Sequence, residues 1–476
     1  MINYNRSPLP RREEEMKSDL PCILRSRLTL QPHQIHVVAH MSQPNVHGLL
    51  VVHDVGSGKT LTAVAASQCF LDESLSHRVI IVTPKSLQYN FKKEIVAYGA
   101  DPKDPRYLFF TITGFTNAIK KGMAFPFANC MLIVDEVHNI RTQQDVDENY
   151  EDIKEEEVVG VYAKNLILAA RKSKKVLLLT ATPLINRTQD IINLITMVDG
   201  GVPITAKELY TIDLRAYMKC KVSVYQPPEE YRRDNYPSTV THDVVIPMNR
   251  DYLQQYMDIE NNADLRAFYT KIRQAANTLE MQLSQKVNWV LNKLQNSAPS
   301  EKFVVYSNYI ESGLRLLMKQ VEDRNITYKY VTGELSKEQR ADAVRLYNED
   351  EIKILFISKA GGEGLDLKNT AHVVLMEPTW NESSNRQIIG RAVRYKSHER
   401  LPIEQRVVHV HRLYLAKPSE IPYVQKIFRE LITYPSNDGV KLSIDLYLRN
   451  YSIKKQMRID MFMDYMTHYS IENQNC

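Results

Sequence analysis

The sequence holds 476 residues, of which 43% are hydrophobic, 25% charged and 9% aromatic, a composition that excludes disordered, collagen-like and low-complexity chains. Lys and Arg number 61 against 56 Asp and Glu, so the formal charge of +5 tolerates a polyanionic partner without requiring one. At roughly 100–200 residues per domain, more than one domain is expected.

Five cysteines (Cys22, Cys69, Cys130, Cys220, Cys476) are scattered, odd in number and without a Cys-x-x-Cys pair. Neither a disulfide framework nor a structural zinc site is expected, and a reducing compartment fits. No run approaches the ~18 apolar residues of a membrane span. The stretch from Met1 to Glu15 lacks a hydrophobic secretory region, which points to a soluble protein inside a cell or carried inside a particle.

In chain order, residues 1–27 are polar, carry Pro8, Pro10 and Pro21, and read as a loosely held arm. Short apolar runs then begin at Leu49–Val52 and recur at Val79–Val82, Met131–Val134 and Val176–Leu179. Runs of this length suit parallel strands buried on both faces, with helices between them. A second series occupies Phe303–Tyr306, Ile352–Ile357, His372–Met376 and Val407–His411. Two βαβ blocks, hence two α/β lobes, are predicted. Between them, Gln226–Pro237 reads as a proline-marked loop, and Arg250–Gln295 has apolar residues at helical spacing. The acidic stretch Asp145–Glu157 reads as a solvated insertion, with a partner-binding segment as the alternative.

Chemistry concentrates at the strand exits. Val55-Gly56-Ser57-Gly58-Lys59-Thr60 lies between a predicted strand and a predicted helix. There, backbone N–H groups can wrap a phosphate, Lys59 can reach the β- and γ-phosphates, and Thr60 can offer a hydroxyl to Mg²⁺. The strict eight-residue form of this loop has glycine where His53 stands, so the match is to the shorter form. The run Met131–Val134 ends in Asp135-Glu136-Val137-His138, which supplies one carboxylate for Mg²⁺ (Asp135) and one base for an attacking water (Glu136). Thr180-Ala181-Thr182-Pro183 either connects the γ-phosphate site to the rest of the protein or caps the next helix. Gly361-Gly362-Glu363-Gly364 is a glycine-rich strand exit able to bring backbone close to a phosphate or a nucleic-acid strand. Gln387, Arg391 and Arg394 share one helical face; an arginine pair of this kind is arginine-finger chemistry, or else an ordinary basic helix.

The order of these motifs, from Leu30-Gln31-Pro32-His33-Gln34 through Thr83-Pro84-Lys85 and Asp135–His138 to Gln387–Arg394, resembles superfamily 2 helicases over about 28–414. Pro84–Leu87 with Asn90–Glu94, Thr182–Asn186 and Pro378–Asn381 resemble the Swi/Snf-type branch. Gly390–His398, followed by Leu401-Pro402, is similar to members encoded by large nucleocytoplasmic DNA viruses, the poxvirus nucleoside triphosphatase I and early transcription factor small subunit type. Lys219–Ser223 and Ser443–Asp445 point the same way.

The resemblance implies two RecA-like parallel-sheet lobes, at 28–210 and 276–415, a linker with bracing helices at 211–275, and a helical extension at 416–476 acting as a brace. It implies ATP and Mg²⁺ held in the cleft between lobes. Gln34 would read adenine, with Gly56, Ser57, Gly58, Lys59 and Thr60 around the phosphates. Asp135 and Thr60 would hold the metal, Glu136 would act as base, and Arg391, Arg394 and Gln387 would act from the second lobe. Thr83, Lys85, Thr180, Thr182, Gly361, Gly362 and Gly364 would line the nucleic-acid groove or couple it to ATP. Three functions are weighed: a DNA translocase in viral transcription, working beside a viral RNA polymerase or transcription factors; an RNA helicase; and a catalytically inactive scaffold, which would need none of Lys59, Asp135, Glu136, Arg391 and Arg394.

Overall fold

The computed structural model describes residues 21–137, 161–181, 188–201, 217–262, 265–279, 282–359, 361–362, 365–380, 382–429 and 442–476. They fall into two compact units, one running to Gln226 and rejoined by Ile459–Cys476, the other spanning Pro227–Arg458. The acidic stretch Asp145–Glu157 and most of the amino-terminal arm lie outside the described residues.

The first unit is a six-stranded parallel sheet of β1 (Gly48–His53), β2 (Arg78–Val82), β3 (Tyr107–Phe110), β4 (Cys130–Val134), β5 (Lys175–Thr180) and β6 (Val222–Tyr225), in the order β3-β2-β4-β5-β1-β6. Its helices are α1 (Pro21–Leu24), α2 (Pro32–Met41), α3 (Lys59–Glu73), α4 (Lys85–Tyr98), α5 (Ile112–Lys120), α6 (Val161–Lys172) and α7 (Thr188–Asp199). The continuous apolar runs are explained by two-sided burial, because successive side chains of a strand point to opposite faces. Leu50, Val52, Ile80, Leu132 and Leu178 pack under α5, α6 and α7. Their neighbours Leu49, Val51, Val79, Ile81, Met131, Ile133 and Leu177 pack under α1 to α4.

The second unit repeats the plan. Strands β7 (Ser238–Pro247), β10 (Lys302–Ser307), β11 (Tyr328–Val331), β12 (Ile354–Ser358), β13 (Thr370–Leu375) and β14 (Val407–Ala416) form a parallel sheet ordered β11-β12-β10-β13-β14-β7. A small hairpin, β8 (Thr278–Leu279) and β9 (Gln282–Leu283), stands apart from it. Both units are RecA-like α/β lobes. The eight apolar runs expected as strands are the four central strands of each sheet; the unexpected strands β3, β6, β7 and β11 are the four sheet edges. An edge strand has one neighbour and can keep polar residues, as the mostly exposed first half of β7 shows.

Three expectations are corrected. The cysteines pair: Cys22 with Cys69, and Cys220 with Cys476, leaving Cys130 buried in β4. Partners 47 and 256 residues apart are joined because the fold brings their Cα atoms to 5.1 and 5.6 Å, which spacing along the chain does not reveal. Residues 21–24, assigned to the loose arm, form α1 and bury Cys22. The expected loop at Gln226–Pro237 contains a helix, Glu229–Asn235, with acids in its first turn and arginines in its last, the arrangement a helix dipole favours.

The expected carboxyl-terminal helix is Ile444–Tyr469, whose residues from Ile459 onward belong to the first unit. At its start, Asp445 accepts 2.8 Å hydrogen bonds from the Lys286 ammonium and the Leu415 N–H, with both charged side chains almost fully buried. Removing one member of such a pair strands the other without solvent. Asp445→Ala should therefore cost about 3–5 kcal/mol, read as a lowered urea midpoint for the second unit; a loss under about 1 kcal/mol would contradict this account.

Four histidines meet on β7, β13 and β14. His372 Nδ1 lies 3.1 Å from His411 Nε2, and His242 Nε2 lies 3.1 Å from His409 Nδ1. Burial, with Lys293 adding, pushes His372 down to about 4, and burial beside the other imidazoles pushes His411 down to about 3. An unfolded imidazole titrates near ~6.5, so below that pH the unfolded chain binds more protons than the folded one. The second unit should lose stability as pH falls from about 6.5 towards about 4. Replacing the buried imidazole in His411→Phe should flatten that slope in urea titrations across the same range, and an unchanged slope would refute it.

Candidate nucleotide site

All strands of the first sheet run the same way, so their carboxyl ends share one edge, where loops of open α/β sheets bind ligands. The exits of β1, β2, β4 and β5 there carry Lys59, Thr83, Asp135 and Glu136, and Thr180. From β1 the chain turns through Gly56 and Gly58, at φ +81° and +79°, into α3, whose first residue is Lys59. Left-handed backbone is what glycine permits, and it leaves the α3 amino terminus open toward an anion. The Lys59 ammonium donates to the carbonyls of His53 (2.8 Å) and Asp54 (3.1 Å).

Gln34 is buried in α2 against this loop. Its Nε2 donates to Gly58 O at 3.1 Å, and its Oε1 accepts from Gln31 N at 2.8 Å. A Cβ on Gly58 would meet Gln34 Nε2 at 2.3 Å and push that amide aside, while the positive φ is what demands glycine here. His33, which the motif reading passed over, approaches Ser57 O at 3.0 Å and stacks on Tyr225 with ring centroids 3.6 Å apart. Ser57 is itself buried, while Thr60 is half-buried on α3.

Asp135 is buried at the end of β4, where its Oδ2 accepts from the Thr83 hydroxyl at 3.2 Å and its Oδ1 from Glu136 N at 3.0 Å. Burial raises its carboxyl to about 7, with the adjacent Glu136 adding and Lys59 opposing. Glu136 itself sits at φ +49°, a conformation that non-glycine residues adopt at a cost and that clusters at functional sites. A buried carboxylate beside a second acid and a threonine hydroxyl is an all-oxygen donor set, the chemistry Mg²⁺ takes, and an added cation would relieve the crowding of negative charge. Asp135 therefore fits the metal. Thr180, fully buried, closes β5, whereas Thr182 lies outside the described residues; Lys85 is exposed at the start of α4.

In the second unit, Gln387 and Arg391 are half-buried on the helix Glu382–Ala392. Arg394, just beyond it, donates to Leu365 O at 3.0 Å and lies 3.9 Å from Asp366. Glu382 anchors the helix start through Arg449 (2.6 Å) and Arg412 (3.2 Å), a role the motifs did not signal. Glu377, also unsignalled, accepts from Asn277, Ser307 and the Asn308 N–H where β10 and β13 end. A Cβ on Gly361 would lie 1.9 Å from Val331 O, so this glycine serves the approach of its own backbone to β11; Gly362 follows it, and Gly364 lies outside the described residues.

Two family models match the chain, Type III restriction enzyme, res subunit, at residues 27–185 and Helicase conserved C-terminal domain at residues 285–396. The chain is a superfamily 2 helicase-type ATPase. This helicase-type enzyme is 29% identical to a mimivirus protein named as a candidate ATP-dependent RNA helicase, over 94% of this chain and 98% of the relative. It is 22% identical to nucleoside triphosphatase I of Choristoneura biennis entomopoxvirus, over 94% and 80% of the two chains. A solved structure of a Sulfolobus solfataricus SWI2/SNF2 ATPase core in complex with dsDNA is 16% identical, covering 93% of this chain and 97% of that one, with a TM-score of 0.37.

The Gly361 geometry generates its own test within the helicase carboxyl-terminal lobe. Gly361→Ala forces a methyl group into the Val331 carbonyl and should destabilise the second unit by about 1–3 kcal/mol, measurable by urea denaturation. A neutral substitution would show that the backbone there yields freely.

Proposed function

We propose that this ATPase is driven by nucleic acid and translocates on DNA during viral transcription. What supports the catalytic half is a single cluster: Lys59 at the phosphate loop bears electrostatically on the buried Asp135, which the Thr83 hydroxyl holds beside Glu136. Lys59 neutralises the β- and γ-phosphates, and the Gly56–Thr60 backbone cradles them. Gln34 contacts the adenine end while bracing the loop. Asp135 and Thr60 hold Mg²⁺, which when bound supplies positive charge to the phosphate oxygens. Glu136 takes the proton of the attacking water. Arg391 and Arg394, on the second unit, offset charge developing on the γ-phosphate, and Gln387 senses the nucleotide. Thr83 is well placed to couple hydrolysis to the polymer, because its hydroxyl already bonds the metal-site carboxylate. Lys85, Thr180, Thr182 and the Gly361, Gly362 and Gly364 backbone contact the strand or transmit its arrival.

Duplex DNA is the favoured polymer because the Pro84–Leu87 and Thr182–Asn186 wording resembles the Swi/Snf-type branch. RNA is the second reading, favoured by the name of the mimivirus relative. A viral RNA polymerase or transcription factor is the proposed protein partner, in the virion or host cytoplasm. Among the described residues no helix is long and apolar enough to cross a membrane.

Turnover measured without polymer and with single-stranded DNA, duplex DNA or RNA, at several salt concentrations, tests this reading. Duplex DNA should stimulate most, with the effect fading as salt rises, since phosphate contacts release counterions. Equal rates under every condition would eliminate the motor. In the same assay Lys59→Ala should abolish turnover, and Glu136→Gln should keep ATP binding while hydrolysis becomes very slow. Arg394→Ala should lower turnover by up to about 10³–10⁵. Near-normal turnover from Glu136→Gln would remove the assigned base.

A further inference from the structure

The residue that breaks the strict phosphate-loop pattern, His53, is the last of β1 and is wholly buried. Its Nε2 lies 2.8 Å from the hydroxyl of Ser223 on β6, and that hydroxyl donates to Glu472 Oε1. Since the serine proton goes to the carboxylate, the imidazole must donate Nε2–H to the serine oxygen. His53 Nδ1 is left as an acceptor, buried and unpartnered among the described residues. Burial, reinforced by His33 and Lys59, holds the imidazole well below its ordinary range, so it is neutral and this tautomer persists.

Glu472 belongs to the carboxyl-terminal tail. Its second oxygen accepts from Val224 N at 3.0 Å, and Ile471 N donates to Val222 O at 2.9 Å. The tail thus satisfies the outer edge of β6, whose inner edge pairs with β1 in a register that sets His53 opposite Tyr225. The Cys220–Cys476 disulfide closes the tail onto the start of β6, with Cys476 exposed. Immediately after His53 comes the phosphate loop, and the His53 carbonyl is one of the two that Lys59 grips.

We propose that the six carboxyl-terminal residues are a positioning element for the phosphate loop, acting through Glu472, Ser223 and His53, and that the Cys220–Cys476 disulfide keeps this element seated. Glu472 and Ser223 are positioning residues: they fix the strand exit from which Lys59 and the loop glycines are aimed. Reduction by a dithiol passes two electrons and two protons to the protein; the S–S bond breaks, both sulfurs become thiols, and the reductant closes to its own disulfide. The tail then loses its covalent closure and is held by its hydrogen bonds and the buried Ile471, and nucleotide affinity falls. The proposal rests on the phosphate-loop role given to Gly56–Thr60.

The test uses the full chain in its oxidised form, with a fluorescent ATP analogue for affinity and steady-state turnover for KM and kcat. Glu472→Ala and Ser223→Ala should each raise KM and the analogue's Kd roughly three- to tenfold, as loss of a charge-assisted hydrogen bond can do, with kcat within about twofold. Misfolding would instead lower kcat at constant KM. Dithiothreitol should raise KM of the unmodified chain, and Cys476→Ser should start from a raised KM and ignore the reductant. An unchanged KM in Glu472→Ala, or a KM indifferent to dithiothreitol in the unmodified chain, overturns the proposal. Lys59→Ala separates the two ideas: if it keeps full affinity, the phosphate-loop reading fails; if it loses affinity while Glu472→Ala does not, only the tail inference fails.

Discussion

Parallel pairing is the constraint on which the rest of the structure depends. When all strands of a sheet run one way, their exits share an edge, and each exit must be a turn with polar backbone and short polar side chains. In the first unit this places the Gly56–Thr60 loop after β1, Thr83 after β2, the two acids after β4 and Thr180 at the end of β5. Residues far apart in sequence become one electrostatic system in which Lys59 and Glu136 both act on Asp135.

The same pairing makes demands elsewhere. Two-sided burial needs helices on both faces, which the α1–α4 and α5–α7 layers provide. It also leaves two open edges per sheet. On the first sheet, the tail from Ile471 to Cys476 covers β6 and satisfies its Val222 and Val224 backbone groups. On the second, β7 runs the full length of β14 and carries the polar outer face itself. Buried charge is handled by pairing, as with Lys286 and Asp445, or with Glu382 between two arginines.

The glycines in these loops answer to different physical demands. At Gly56 and Gly58 the backbone is left-handed, and at Gly58 the Gln34 amide also occupies the space of a side chain. At Gly361 the demand comes from a neighbouring carbonyl, not from a phosphate. A glycine-rich strand exit is therefore not by itself a sign of ligand contact.

The central strands and the chemical groups at their exits were determined by the sequence alone. Their signals are local: a run of apolar residues buried on both faces, then glycines, acids or hydroxyls at the turn. Edge strands β6, β7 and β11 were not legible because polar residues interrupt their apolar runs (Ser223, Thr239 to Asp243, Lys329), whereas β3 is a short apolar run, Tyr107–Phe110, that the sequence reading passed over. Tertiary structure alone decided the cysteine pairs, since Cys220 and Cys476 meet only after β6 and the carboxyl-terminal helix are in place. It alone gave His53 a partner: in the sequence this residue is a departure from a glycine pattern, and in the fold it is one end of a buried hydrogen-bond chain reaching Glu472. Contacts of that kind depend on the meeting of distant segments, and no local pattern of residue types encodes them.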